Sequence, residues 1–379
     1  RQHRPATDNT KRSLPQMETK GAPPRDEDPE TQEQAFQTTK HIETYESKGD
    51  VKSLPDSYLP KAFGSWSFEE IAKVLASKNK KTTLRDQGLE MLLQMCKRPT
   101  DIIRAVKADL VQLVGGNLDS PVALDCISQF ARQRCSRTEL LQKTQIVEAL
   151  VDVASNGTVD CRAGAFQCLW ELSQHPGMSR ERKSKILELC IKSANDDKET
   201  QVKLGSLRVL KMMITRQDMA KEGNACVPVV TSLLDHKDQD VRMLSCEALQ
   251  YACVSDLGKD SCIKSGAVPK LTKQLEDNLK QVRMYATAAL MQISILKAGK
   301  LVMIEAKTVP VLLVKLADED AIKNYALQCL TNLFSHENIR HETKAVEANV
   351  KMVEGLIKSK DPIVAASAQS CLDKLSWEP

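Results

Sequence analysis

From Pro55 onward, apolar and small residues recur along this chain with the four-and-eight step of one helical face. In the stretch DQDVRMLSCEALQYAC, Val241 is followed four residues later by Ser245 and eight later by Leu249. The same grammar places Val282 with Ala286 and Leu290, Ile322 with Ala326 and Leu330, and Val364 with Ala368 and Leu372. Toward the N-terminus it gives Val202, Ser206 and Leu210, then Cys161, Ala165 and Leu169, then Val122, Cys126 and Phe130, then Leu84, Gly88 and Leu92. The eight leading residues, called anchors below, are separated by 38, 39, 41, 39, 41, 40 and 42 residues. Residues four and eight apart share a face of a helix. Each unit therefore carries an apolar stripe with a small residue at its middle, where a neighbouring helix can approach closely.

A second landmark precedes the anchors. Val227-Pro228, Val268-Pro269 and Val309-Pro310 recur every 41 residues, with Ile186 and Val350 on the same grid without the proline. Proline is tolerated in the first turn of a helix, where its missing N–H has no intrahelical partner to lose. Gly258-Lys259 and Gly299-Lys300, also 41 apart, mark the start of a shorter helix before each proline. The pattern predicts units built of a short, a medium and a long helix, and an all-α fold over residues 55–379. A period near 40 residues is that of solenoid repeats, in which no unit buries its apolar face alone.

The ends depart from the period. Residues 1–54 are polar and proline-bearing, as in GAPPRDEDPETQEQ, and hold too little apolar surface to offset the entropy of ordering, so they read as a disordered arm. Phe63, Trp66 and Phe68 are expected to begin the first helix and close that edge of the stack, while Trp377 in LSWEP is expected to pack over the last apolar face as a cap.

Composition narrows the chemistry. With 41% hydrophobic residues and 4% aromatics, the core is mostly aliphatic. The formal charge is +4, from 54 basic and 50 acidic side chains, too even for a nucleic-acid-binding surface. No run approaches the ~20 apolar residues of a membrane span. All twelve cysteines follow residue 95 and none forms a C-x-x-C pair, so they read as reduced, structural thiols of a cytosolic or ciliary protein, with no metal site. The six histidines are scattered, and no phosphate-binding, dinucleotide-binding or nucleophile-elbow motif occurs. The expectation is no catalytic residue, no cofactor and no small-molecule substrate. Basic residues directly after the anchor, namely Arg85, Arg162, Lys203, Arg242, Arg283 and Lys323, are expected to pair locally with acids of the preceding turn, such as Asp238 or Asp240.

The three-helix unit, the Val-Pro opening of the second helix and the V-R-x-x-A-x-x-A-L third helix from Val282 to Leu290 resemble the armadillo repeat. ALQCLTNL, residues 326–333, resembles it as well. Units one to three lack the Val-Pro step. The resemblance implies a right-handed superhelical solenoid of about eight repeats whose third helices line a concave groove, at the third, sixth and tenth positions after each anchor. Nuclear-import receptors carry Trp at the sixth and Asn at the tenth. Here no sixth position is Trp, and only Asn332 keeps the amide. Met212, Leu244, Tyr251, Tyr285 and Tyr325 fall at third or tenth positions and, with Asn332, are the candidate partner-binding residues.

The order of KAFGSWSFEEIAKVL, LRDQGLEML, AGKLVMIEAKTVPVLLVKLADED and the terminal LSWEP is also similar to the armadillo component of the ciliary radial spoke, although the polar segment before residue 55 is foreign to that pattern. That resemblance implies a structural protein of the axoneme in motile cilia or flagella, held by other spoke and doublet-associated proteins. A soluble peptide-binding adaptor, or a regulatory subunit of a signalling or transport complex, is the alternative expectation.

Overall fold

The computed structural model describes residues 66–77, 82–142, 145–175, 177–216, 219 and 223–378, all within the unit Pro60–Pro379. The expected arm, residues 1–54, and Phe63 lie outside the described residues. Among the described residues the chain is all-α, without strands, and its helices follow the eight anchors as a stack of repeats. The first unit contributes α1 (Phe68–Ala76) and α2 (Thr82–Met95). The second contributes α3 (Pro99–Lys107), α4 (Leu110–Gly115) and α5 (Pro121–Arg132), and the third α6 (Arg134–Gln142), α7 (Ile146–Asn156) and α8 (Val159–Ser173). The fourth has α9 (Arg180–Asp196) and α10 (Thr200–Ile214), and the fifth α11 (Val227–Ser232) and α12 (Gln239–Ala252). Then come α13 (Asp256–Lys264), α14 (Ala267–Gln274) and α15 (Lys280–Ile293) in the sixth unit. The seventh holds α16 (Lys297–Glu305), α17 (Thr308–Val314) and α18 (Asp320–Leu333), and the eighth α19 (Glu337–Lys344), α20 (Glu347–Leu356) and α21 (Pro362–Ser376).

Units two, three, six, seven and eight each have three helices ending on the longest. The short-medium-long order holds only in units three and eight, because in units two, six and seven the second helix is shorter than the first. The fourth unit departs further. A single 17-residue helix, α9, replaces its first two helices. The reason is local. In units two, six and seven a residue with left-handed backbone opens the second helix: Asp109 (φ 53°), Gly266 (φ 72°) and Lys307 (φ 52°). The stretch RERKSKILELCIKSAND contains neither glycine nor proline and none of its residues adopts the left-handed backbone, so its helical hydrogen bonds run on unbroken.

The stripe read from the sequence is the core. The anchor, middle and outer residues of units three to seven are all buried, and only Leu84, Val122 and Leu372 of the whole set are half-buried. A further position, five after the anchor, carries the contact between units: Leu89, Ile127, Phe166, Leu207, Cys246, Thr287 and Leu327 are each fully buried. The small residues opposite make this possible. The Cys126 thiol lies 3.4 Å from the Leu89 carbonyl oxygen, and a Cβ on Gly205 would stand 2.8 Å from Cβ of Phe166. In the eighth unit the same position is Gln369, exposed and donating to Asp373 Oδ1 at 2.8 Å.

The two ends differ from expectation in their caps. Phe68 does begin α1, behind a capping box in which Ser67 Oγ accepts from Glu70 N–H and Glu70 Oε2 accepts from Ser67 N–H. Trp66 precedes that helix and lies 3.5 Å from where a Cβ of Gly88 would be. Trp377 does not pack over the last apolar face. It is half exposed, and the Arg340 guanidinium and the Lys374 ammonium each lie 5.0 Å from the centroid of its ring.

The basic residues after the anchors divide in two. The lysines act locally: Lys203 Nζ donates to the Ala194 and Asn195 carbonyls, and Lys323 pairs with Asp320. The arginines do not, and here the local expectation is corrected. Arg85, Arg162, Arg242 and Arg283 reach Asp119, Asp197, Asp277 and Asp318, each in the turn before the third helix of the next unit. Arg283 is the fullest case. Nε and Nη2 grip both Asp318 oxygens at 2.7 and 2.9 Å, while Nη1 donates to the Asp277 and Asn278 carbonyls of its own unit. The guanidinium fork ties one turn to the next because it offers several donors in a fixed plane.

Two outcomes follow for stability. A Cβ on Gly299 would stand 2.2 Å from the Ile293 carbonyl oxygen, a backbone atom that cannot rotate away. Gly299→Ala should therefore lower stability by about 3 kcal/mol or more in urea unfolding, despite the higher helix propensity of alanine. Arg283 and the Glu319 N–H hold the Asp318 carboxyl below its ordinary value of 3.8, against the opposing effect of burial. The contribution of this carboxylate is present above that value and is lost as pH falls through it toward the lower folded value. Urea midpoints at pH 7 and pH 3 should differ less in Asp318→Asn than in the wild type, and Arg283→Ala should cost about 2 kcal/mol at pH 7.

Candidate functional site

The surface to examine is the part of the third helices that the stack leaves uncovered. The expected partner-binding residues are distributed over α10, α12, α15 and α18. Leu244 is buried and belongs to the core, while Met212, Tyr285, Tyr325 and Asn332 are half-buried and Tyr251 is exposed. Asn332 is engaged within the stack: its Nδ2 donates to Ser294 Oγ of the preceding unit at 2.9 Å.

One polar group outside the expected set stands beside Tyr285. Glu247, six residues after the anchor Val241 on α12, accepts from Lys211 Nζ of α10 at 3.0 Å and stands beside the Tyr285 hydroxyl of α15. Burial first, and then the Glu247 carboxylate and Tyr251, push the Tyr285 phenol above its ordinary value, so it remains a neutral donor. A lysine, a carboxylate and a phenol thus run across three successive units, with Tyr251 next to them. Farther along, Asn324 Oδ1 accepts from Gln328 Nε2 at 3.0 Å and from Ser367 Oγ of the eighth unit at 2.7 Å. This half of the surface presents phenols, amides and hydroxyls held in place by bonds between units. Rigid aromatic groups with a polar tip lose little entropy when a partner covers them. The available signal was Glu247 and Lys211 on the same helical stripe as Leu244 and Tyr251, readable only once adjacent units are superimposed.

In units two and three the corresponding surface is satisfied internally. Glu171 is buried, pairs with Arg132 at 3.1 Å and accepts from Gln167 and Gln174. Burial raises the nearby Asp125 carboxyl, and Arg132 opposes that rise. A shallow cleft of about 420 Å³ lies on the turn edge between units three and four, lined by Asn156, Arg162, Lys192, Asp197 and Glu199, with its arginine already taken by Asp197.

Among the described residues no group of three or more His, Cys, Asp or Glu could hold a metal ion. His175 and His236 each use Nδ1 to accept a backbone N–H two residues ahead, and His341 stands 3.5 Å from Glu337 on α19. The eleven described cysteines are buried. Burial pushes the Cys329 and Cys371 thiols up to about 12, which keeps them protonated and unreactive. No helix among the described residues is long and apolar enough to cross a membrane.

No protein-family model matches this chain, and no curated protein matches it either. Among solved structures it is similar to three engineered proteins from the Northeast Structural Genomics Consortium. One has a TM-score of 0.60 at 18% identity, over 94% of this chain and 97% of that chain. The second has a TM-score of 0.54 at 22% identity, over 61% of this chain and 97% of its own. The third also has a TM-score of 0.54, at 20% identity, over 62% of this chain and 99% of its own. At such identities the likeness concerns the fold alone, and it agrees with an all-α, repeat-like arrangement.

Proposed function

We propose that this chain is a non-catalytic armadillo-repeat scaffold, a right-handed superhelical solenoid that binds other proteins along its third helices. The observation that carries the reading is the row of partly exposed tyrosines, Tyr251, Tyr285 and Tyr325, on the third helices of units five to seven, with Tyr285 beside Glu247, which is itself paired with Lys211. Such a row has no counterpart in the internally paired units two and three. The order of the sequence segments shared with the armadillo component of the radial spoke supports a place in the axoneme of motile cilia or flagella, with spoke and doublet-associated proteins as partners. On this reading the chain needs no cofactor, metal, nucleic acid or membrane.

Detergent and high-salt extraction of ciliated cells expressing the tagged chain tests this directly. The wild type should remain with the axonemes and retain its partners. Tyr285→Ala combined with Tyr325→Ala should release it, with partner recovery falling about tenfold or more while circular dichroism stays unchanged. A wild-type chain found wholly in the detergent-soluble fraction would favour the adaptor reading, and a folded double variant that keeps its partners would remove the tyrosine row from the interface.

A further inference from the structure

The cysteines are expected to be inert fillers, and two of them are arranged otherwise. Cys253 closes the C-terminus of α12, Cys262 lies on α13, and their Sγ atoms are 3.4 Å apart, in van der Waals contact. Both are fully buried. Stacking does not require thiols here, because the same two positions 41 residues later hold Ser294 and Met303, equally buried. The segment between the helices is the opening to solvent: Val254 is 67% and Leu257 58% exposed. The Lys259 ammonium, itself buried and paired with Asp256 Oδ1 at 2.8 Å, lies on the first turn of α13 and favours the Cys253 thiolate.

We propose that Cys253 and Cys262 form a peroxide-sensitive dithiol that oxidises to a disulfide and locks the third helix of unit five to the first helix of unit six. In the first step the Cys253 thiolate attacks hydrogen peroxide, giving a sulfenic acid at Cys253 and, with the displaced proton, one water. In the second step the Cys262 sulfur attacks the sulfenic sulfur, the S–S bond forms, and the second water leaves with the Cys262 proton. The two thiols lose two electrons and two protons, and the peroxide gains them. The Cys262 thiol and burial together hold Cys253 protonated in the closed state, while Lys259 pulls toward the thiolate. Oxidation therefore proceeds through transient opening of the Cys253–Asp256 turn, and a mild oxidant acts slowly on the closed stack. Tyr251 lies two residues before Cys253, so the lock also fixes the helix end that carries it.

The test treats the full chain with hydrogen peroxide, alkylates the remaining thiols under denaturing conditions and maps peptides by tandem mass spectrometry, before and after reduction. The expected first product is one cross-link joining Cys253 to Cys262, with loss of two hydrogens and no added oxygen. Amide exchange over residues 253–258 should slow by about tenfold and recover on reduction. Cys253→Ser, which places the residue found at Ser294, should stay folded, lose the cross-link and show no oxidant effect on exchange. Oxidation that yields sulfinic acids at these residues, a different first cysteine pair, or the same change in exchange in Cys253→Ser would overturn the proposal.

Discussion

The structure depends on one contact: a buried residue five places after each anchor set against small residues on the third helix of the next unit. Leu89 against Cys126 and Phe166 against Gly205 show the arrangement, in which a thiol or a bare Cα admits the neighbouring helix. Each third helix packs both on the other helices of its own unit and on the third helices of its neighbours, so the energy of burial is held between units as well as within them. Gln369 and Asp373 show the same rule from the other side. In the eighth unit that position is polar and exposed, and its amide is turned to Asp373 of its own helix.

The arginine pairs follow from this spacing. Once two third helices are in contact, the start of one lies beside the turn that precedes the other. A guanidinium there can hold its own turn by its carbonyls and the next turn by its aspartate. Arg242 and Arg283 do both, which links Asp277 and Asp318 into one ladder along the turn edge. With the turn edge stapled and the cores shared, the remaining third-helix surface is presented on a fixed lattice. Lys211, Glu247 and Tyr285 depend on that lattice, since each comes from a different unit and none would meet the others in an isolated repeat.

Much of this was legible in the sequence because helical periodicity is local. The anchor stripe, the Val-Pro openings and the paired glycines at 258 and 299 each lie within one unit. What lay between units was harder. Arg242 has Asp238 and Asp240 close in sequence, yet its partner Asp277 is 35 residues away. The same interval of 34 or 35 residues joins Arg85, Arg162 and Arg283 to their aspartates, so a search at that offset would have found them. Leu244 looked available by its position three after the anchor, but it is drawn into the core, while Tyr285 at the same position is not. The unbroken α9 was not marked by its lack of glycine and proline, since α3 and α4 are separated at Asp109 without either, and nothing in the sequence marks Asp109 or Lys307 for a left-handed backbone.

Because every unit packs on its neighbours in a common register, one whole period can be removed without loss of the fold. Deleting residues 258–298 joins Leu257 to Gly299, places Gly299 after Ala252 as Gly258 was, and sets Arg242 at its usual interval from Asp318. Cys246 then meets the unit of Ala326 in place of that of Ala286. The decisive measurement is the far-ultraviolet circular dichroism and urea unfolding of this shortened chain. The account predicts unchanged helicity per remaining residue and a cooperative transition at somewhat lower denaturant. A chain that is unfolded or aggregated after an in-register deletion would contradict it.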